Sequence, residues 1–213
     1  MLEKTISNHT LSNSHLISGK VEHSKLIEQY LPLIKQLQHQ RCQNDKFEVL
    51  DLACGNGRNG LYLLKHNVSV CFADINGDAL TLINNQVKHI ESDTLRPKYN
   101  ANFWNVDFEQ EDTEPLQGKQ YAGISVFRYL HRPLFEQLKD AVLPGGFVIY
   151  ETFNVDNAEF GRPKNPRFLL NKDELLNLFS GWKIIHHLEG VVTTIDKSAK
   201  QAISQIVALK PNK

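Results

Sequence analysis

The sequence predicts an α/β fold: a Rossmann-like, seven-stranded, mostly parallel sheet with an antiparallel closing strand and helices on both faces. Three observations carry this expectation. Apolar runs of strand length alternate with stretches of helical periodicity as far as Phe153, the pattern of successive βα units. One of those runs, Val49-Leu50-Asp51-Leu52-Ala53, breaks into Gly55, Gly57 and Gly60 and passes directly into Leu61-Tyr62-Leu63-Leu64, so a strand meets a helix through a glycine turn. Two strand-like runs, 182–188 and 202–209, then follow one another at the C-terminal end and can supply an antiparallel return.

Composition bounds the rest. A chain of 213 residues is long enough for a substantial core and reads as one domain, 24–213, behind a polar segment 1–23 rich in Ser, Asn and His. That segment is expected to be poorly ordered until a ligand or the domain holds it. Formal net charge is zero and no long basic run appears, which excludes the electrostatic footprint of a nucleic-acid binder and favours a small-molecule substrate. Cysteines at 42, 54 and 71 form no C-x-x-C pair and read as reduced thiols. No apolar stretch approaches a membrane span and no signal-peptide core is evident, so the expectation is a cytoplasmic protein without a membrane partner. Oligomeric state is not legible.

Taken in order, Ser24 is a plausible N-cap for a helix whose apolar positions Leu26, Ile27, Tyr30 and Leu31 fall at helical spacing, with Pro32 expected to break or kink it. The first strand ends in the glycine turn: Gly55 for the sharp bend, Gly57 for close approach of a ligand to the main chain, Gly60 for close packing of helix on sheet. Val68–Asp74 is a second buried strand ending on a carboxylate. Asp74 stands at the separation from Gly55 at which an acidic residue meets ribose hydroxyls, or else caps the next helix. A short helix from Asp78 to about Asn85 and a polar loop 86–100 precede a third strand, Ala101–Val106. The acidic run 109–114 reads as a solvated loop and no metal site is expected. Tyr121–Phe127 is the fourth strand, and Pro133 starts a helix. A turn at Leu143-Pro144-Gly145-Gly146 leads to the fifth strand, Phe147–Phe153. After a polar loop from Asn154 to Asn165, Asn171 and Glu174 form a plausible capping box for a helix ended by Gly181.

Asp51 is the discriminating residue. A carboxylate within a buried strand is costly unless its charge is compensated, and beside a pyrophosphate it would meet more negative charge. A ligand carrying an ammonium and a sulfonium suits it better. On the string Asp51-Leu52-Ala53-Cys54-Gly55-Asn56-Gly57-Arg58-Asn59-Gly60-Leu61-Tyr62-Leu63 the sequence resembles the class I S-adenosylmethionine-dependent methyltransferases, and within them the tellurite-resistance branch. The resemblance spans about residues 45–210. Its substrate half (Arg-Tyr-Leu-His-Arg-Pro at 128–133, Tyr-Glu-Thr-Phe at 150–153, Phe-Gly-Arg-Pro-Lys-Asn-Pro at 160–166) looks like uncharacterised bacterial methyltransferases.

The resemblance implies S-adenosyl-L-methionine as cofactor, held by Asp51, Ala53, Cys54, Gly55, Gly57, Arg58, Asp74 and Ile75, with Asp107 and Phe108 on the adenine and Phe127 and Arg128 near the methyl group. Tyr129, His131 and Glu151 are the candidate catalytic groups. Each has a plain alternative: Tyr129 as a cofactor wall, His131 bonded to backbone, Glu151 paired with Arg128 or Arg132. Arg162, Lys164 and Arg167 put three cations on the loop 153–167, read as a lid selecting a polar or anionic acceptor, or else paired with Asp156, Glu159 and the acidic loop. An NAD-dependent oxidoreductase, or a catalytically silent S-adenosylmethionine-binding module, are the alternatives in function.

Overall fold

The structure, a computed structural model, describes residues 22–41, 47–92, 99–194 and 198–212. The expected poorly ordered segment therefore lies almost wholly outside the described residues, as does Cys42.

The elements run α1 (Lys25–Arg41), β1 (Glu48–Leu52), α2 (Arg58–Lys65), β2 (Ser69–Asp74), α3 (Gly77–Ser92), β3 (Ala101–Asn105), β4 (Tyr121–Phe127), α4 (Phe135–Ala141), β5 (Val142–Phe153), α5 (Glu174–Leu178), β6 (Lys183–Thr193) and β7 (Lys200–Leu209), with short 3-10 turns between. The seven strands form one sheet in the order β3-β2-β1-β4-β5-β7-β6. β3 to β5 are parallel, and β7 lies antiparallel between β5 and β6. Strand order reverses between β1 and β4, so the carboxyl ends of those two strands flank the crevice where ligands bind in open α/β sheets.

Alternation along the strands splits the core in two. Leu50, Leu52, Ile124, Val126, Val148 and Tyr150 face one cluster with Leu138, Leu175 and Phe179. Val49, Val70, Phe72, Phe147 and Ile149 face the other, with Leu26, Ile27, Ile34, Leu63, Leu64, Ile83 and Val87 from α1, α2 and α3. Both faces are thus covered, as a parallel sheet requires.

Four elements differ from expectation, one of them β6, which runs on to Thr193 because its pairing with β7 continues to Thr193 opposite Lys200. α3 runs on to Ser92, because Leu80, Ile83, Val87 and Ile90 continue its apolar stripe; the polar residues read as loop are its outer face. β5 begins at Val142, taking in the Pro-Gly-Gly turn as an irregular start with a register shift beside Tyr121. α1 is uninterrupted at Pro32. The proline removes a bond to the Glu28 carbonyl, and both residues are exposed, so water can satisfy that oxygen. Buried Leu26 and Ile27 on one side of it and Ile34 on the other anchor both halves of the helix. The Ser24 cap is present: its backbone carbonyl accepts from Glu28 and its hydroxyl from the Leu26 N–H at 3.2 Å. Among the described residues no helix is long and apolar enough to cross a membrane.

Since Pro32 costs helix stability without contributing to the core, Pro32→Ala is expected to raise the melting temperature, at about 2–4 °C per kcal/mol gained. A lower melting temperature in calorimetry would show that the proline shapes α1 for its packing.

Candidate functional site

The site is built on Asp51. β1 puts it on the face shared with α1–α3, where it is 2% exposed. One carboxylate oxygen accepts the Gly60 N–H at 3.0 Å, and the other accepts the Ser125 hydroxyl at 3.1 Å. Burial pushes its pKa up to about 7, against the pull of those two hydrogen bonds. The carboxylate therefore braces β1 to α2 and β4 beneath the turn; it is not displayed on the crevice floor. Ser125 was missed in the sequence, although a lone hydroxyl in Tyr-Ala-Gly-Ile-Ser-Val-Phe is the same kind of anomaly as Asp51 in its own strand.

Above this brace the chain passes through left-handed backbone at Ala53 (φ 51°), Gly55 (φ 56°) and Gly57 (φ 70°). Gly55 is exposed with open space where a side chain would begin, and its N–H donates to the Asp74 carboxylate at 2.7 Å. Gly57 differs from expectation. A Cβ there would lie 2.7 Å from the Ile83 side chain, so its place is filled by packing and the main chain open to a ligand is at Gly55. A Cβ on Gly60 would run into the Phe72 ring and the Asp51 carboxylate, which fits the expected close approach of helix to sheet. The Cys54 N–H bonds the Ala73 carbonyl at 3.0 Å, while burial and then the nearby Asp51 push its thiol pKa up, so it is no nucleophile. Arg58 opens α2 and reaches the Glu22 carbonyl at 3.1 Å.

A shelf lies at the ends of β1, β2 and β3. The Asp74 oxygens accept from Gly55 and, at 2.9 Å, from Asn76; it is Asn76 that caps α3, through Ala79 at 3.1 Å. Ile75 is 64% exposed, an apolar side chain left in water at the ligand end of the sheet. The Asn105 amide holds the main chain there, at 2.9 Å from the Ile75 carbonyl. Asp107 is exposed and accepts the Glu109 N–H at 2.8 Å. Phe108 is instead buried in the core, edge-on to Trp104, and Phe127 is buried on the opposite face, so neither offers a ring to the shelf. Carboxylates, an accessible main chain and an exposed aliphatic group together suit a hydroxylated, flat ligand such as a nucleoside.

At the end of β4, Arg128 takes a positive φ of 59°. Its Nη2 is 3.1 Å from Glu151, its guanidinium lies 4.4 Å from the Phe153 ring centre, and its Nη1 is buried with no acceptor among the described residues. The other Glu151 oxygen accepts from the Gln205 amide at 2.6 Å, and the Gln205 carbonyl oxygen lies 3.0 Å from the His186 ring. Of the catalytic candidates, Glu151 is thus engaged in an ion pair. Tyr129 and His131 gather instead around Glu109, with His131 Nδ1 at 4.0 Å from its carboxylate; burial and then Glu109 push the Tyr129 pKa up.

The predicted lid is pinned. The buried Asn154 and Asn157 amides bond the Ile203 carbonyl and the Ala202 N–H, both at 3.0 Å. Arg132 grips Glu174 through two nitrogens and also holds the Arg167 and Leu169 carbonyls. Arg162, Lys164 and Arg167 are all exposed. They line neither of two cavities that meet at Arg128, where the loop contributes Phe153 and Pro163 instead, with Phe168 just beyond it. The smaller, about 240 Å³, lies against Glu109 and Tyr129; the larger, about 730 Å³, opens toward α1 and the β6–β7 hairpin.

A family model described as tellurite resistance protein TehB matches residues 42–203. A sequence search of curated proteins found no match. Among solved structures, TehB from Haemophilus influenzae superposes with a TM-score of 0.61 at 19% identity, covering 83% of this chain; this chain spans 62% of that one. The N-methyltransferase NodS from Bradyrhizobium japonicum WM9, in complex with S-adenosyl-L-homocysteine, gives 0.54 at 12% identity over 85% of this chain and 87% of its own. Magnesium protoporphyrin IX methyltransferase (ChlM) from Synechocystis PCC 6803 with bound SAM gives 0.54 at 14% over 86% and 79%. The fold is that of these methyltransferases.

The raised pKa of Asp51 sets a pH dependence. In the unfolded chain this carboxyl ionises near its ordinary 3.8, in the fold near 7, so its contribution to stability is full below the first value and is lost as pH rises to the second. The expected loss is on the order of 4 kcal/mol. Asp51→Asn should flatten urea-unfolding stability between pH 4 and 7 relative to the parent; an unchanged profile would show that another group carries the pH dependence.

Proposed function

The chain belongs to the tellurite resistance protein TehB family, and from that premise we propose that it is an S-adenosylmethionine-dependent methyltransferase acting on a small polar or anionic acceptor. The observation that carries this reading is the shelf at the ends of β1–β3, where Gly55, Ile75 and Asp107 are exposed and the half-buried Asp74 carboxylate accepts the Gly55 N–H. Its donor set fits the cofactor. Asp74 would hold the ribose hydroxyls, Asp107 the adenine amino group, and Ile75 would cover the ring, with the main chain at Gly55 allowing close approach. Similar folds solved with S-adenosylhomocysteine and SAM support the assignment. Zero net charge favours a small molecule over nucleic acid as acceptor.

Bound S-adenosylmethionine supplies a methyl carbon made electrophilic by its sulfonium. An acceptor would take that methyl group by in-line displacement, with the residues at the ends of β1–β4 holding the two partners in line. For such an in-line displacement the protein's main task is alignment, worth up to about 7–11 kcal/mol. The end of β4 lies next to the shelf across the strand reversal, so Arg128, Tyr129 and His131 would stand on the acceptor's side. His131 would take the acceptor's proton where one must leave, aided by Glu109, for roughly 100- to 10,000-fold.

S-adenosylhomocysteine at saturating concentration should raise the melting temperature by several degrees, as ligand at 100 times its Kd stabilises by about 2.7 kcal/mol. A shift with NAD and none with S-adenosylhomocysteine would sink the reading. In calorimetric titration, Asp74→Ala should weaken S-adenosylhomocysteine about 10- to 100-fold, the worth of one charge-assisted hydrogen bond. Parent-like affinity in that variant would move the ribose contact to another residue.

A further inference from the structure

We propose that the larger cavity binds an organic acid with an apolar body, its carboxylate gripped by Arg128; that this acid is the methyl acceptor rests on the methyltransferase reading above. The cavity's volume of about 730 Å³ far exceeds what an inorganic oxyanion fills, and lies in the range of pockets built for small organic ligands. Its walls set three cations, Lys25, Arg58 and Arg128, against two carboxylates, Glu22 and Glu151, the second already held by Arg128 and Gln205. Aliphatic side chains of Leu26, Val192 and Ile203 stand among polar ones. That combination suits an anionic head on an apolar body. The shelf residues Gly55, Asp74, Ile75 and Asp107 do not line it, so cofactor and acid have separate places.

Arg128 is the wall between the two cavities and is built to be held still. Glu151 fixes one amino group, Phe153 supports the guanidinium, and the backbone N–H bonds the Glu151 carbonyl at 2.8 Å. Glu151 is itself held by Gln205, which pairs with it across the β5–β7 ladder, and Gln205 in turn lies against His186. The remaining amino group, Nη1, is buried and has no hydrogen-bond partner among the described residues, which costs free energy. Burial lowers the Arg128 pKa, Glu151 opposes that shift and the like charge of Arg58 adds to it, and an anion in the cavity favours the charged form. Arg128 lines the cavity from this fixed position, and a carboxylate accepts a guanidinium fork through two oxygens.

The test is titration calorimetry of the S-adenosylhomocysteine-loaded protein with 3-phenylpropionate and indole-3-acetate, their primary amides, and phenyl phosphate. At least one acid should bind, its amide about tenfold weaker or worse. Arg128→Gln should cut acid affinity about 10- to 100-fold, and at least about tenfold more than it cuts affinity for S-adenosylhomocysteine. Arg58→Gln, on a different element, should weaken the acid in the same direction and guards against a misfolded Arg128 variant. Amides equal to acids, phenyl phosphate preferred over both acids, no binding by either acid, or parent-like acid binding in both variants would each overturn the proposal. If S-adenosylhomocysteine fails to bind while the acid still binds through Arg128, the cavity assignment stands and the methyltransferase reading falls.

Discussion

The arrangement rests on a carboxylate buried where β1 meets α2 and β4. Two parallel strands that diverge at a topological reversal have no ladder to share beyond their ends, and the helix entering between them brings unpaired N–H groups into the core. Asp51 answers both needs, taking one of those N–H groups at Gly60 and the Ser125 hydroxyl of the neighbouring strand. The cost is a charge in a place that burial makes unfavourable, which is why its pKa climbs to about 7. With that brace in place the turn above it can be strained and open. Ala53, Gly55 and Gly57 all take left-handed backbone there.

The other side of the reversal repeats the pattern with opposite charge. Arg128 leaves β4 in left-handed backbone, a conformation that costs a non-glycine residue roughly 1–3 kcal/mol and persists only where neighbours over-determine it. The neighbours here are Glu151, Phe153 and, one step further, Gln205. The antiparallel β7 is what brings Gln205 opposite Glu151, so the strand that closes the sheet also sets the posture of a guanidinium at the crevice. Arg132 does comparable work for the loop after β5, which is anchored by two buried asparagines and leaves its own cations in solvent.

What the sequence by itself determined is the backbone plan. Strand runs, the glycine turn, the Ser24 cap and the closing pair were legible because periodicity, capping and φ preference act over a few residues. Strand ends in a βα unit, together with the family resemblance, directed attention to Gly55, Asp74, Ile75 and Asp107, of which Gly55, Ile75 and Asp107 are exposed in the fold. The extent of α3 past Asn85 and the continuity of α1 through Pro32 were not legible, since each depends on which face meets the sheet.

Only the tertiary structure decided which polar side chains face each other. Asp51 and Ser125 are 74 positions apart, Glu151 and Gln205 54 apart, and no local pattern links either pair. Strand order does, by placing β4 beside β1 and β7 beside β5. The same register decides the glycines: Gly57 is filled by Ile83 and Gly55 is open because α3 packs against α2. Charge density along the chain drew attention to Arg162, Lys164 and Arg167, yet the cavities converge on Arg128. A cation's role depends on the walls around it, and those walls come from segments distant in sequence.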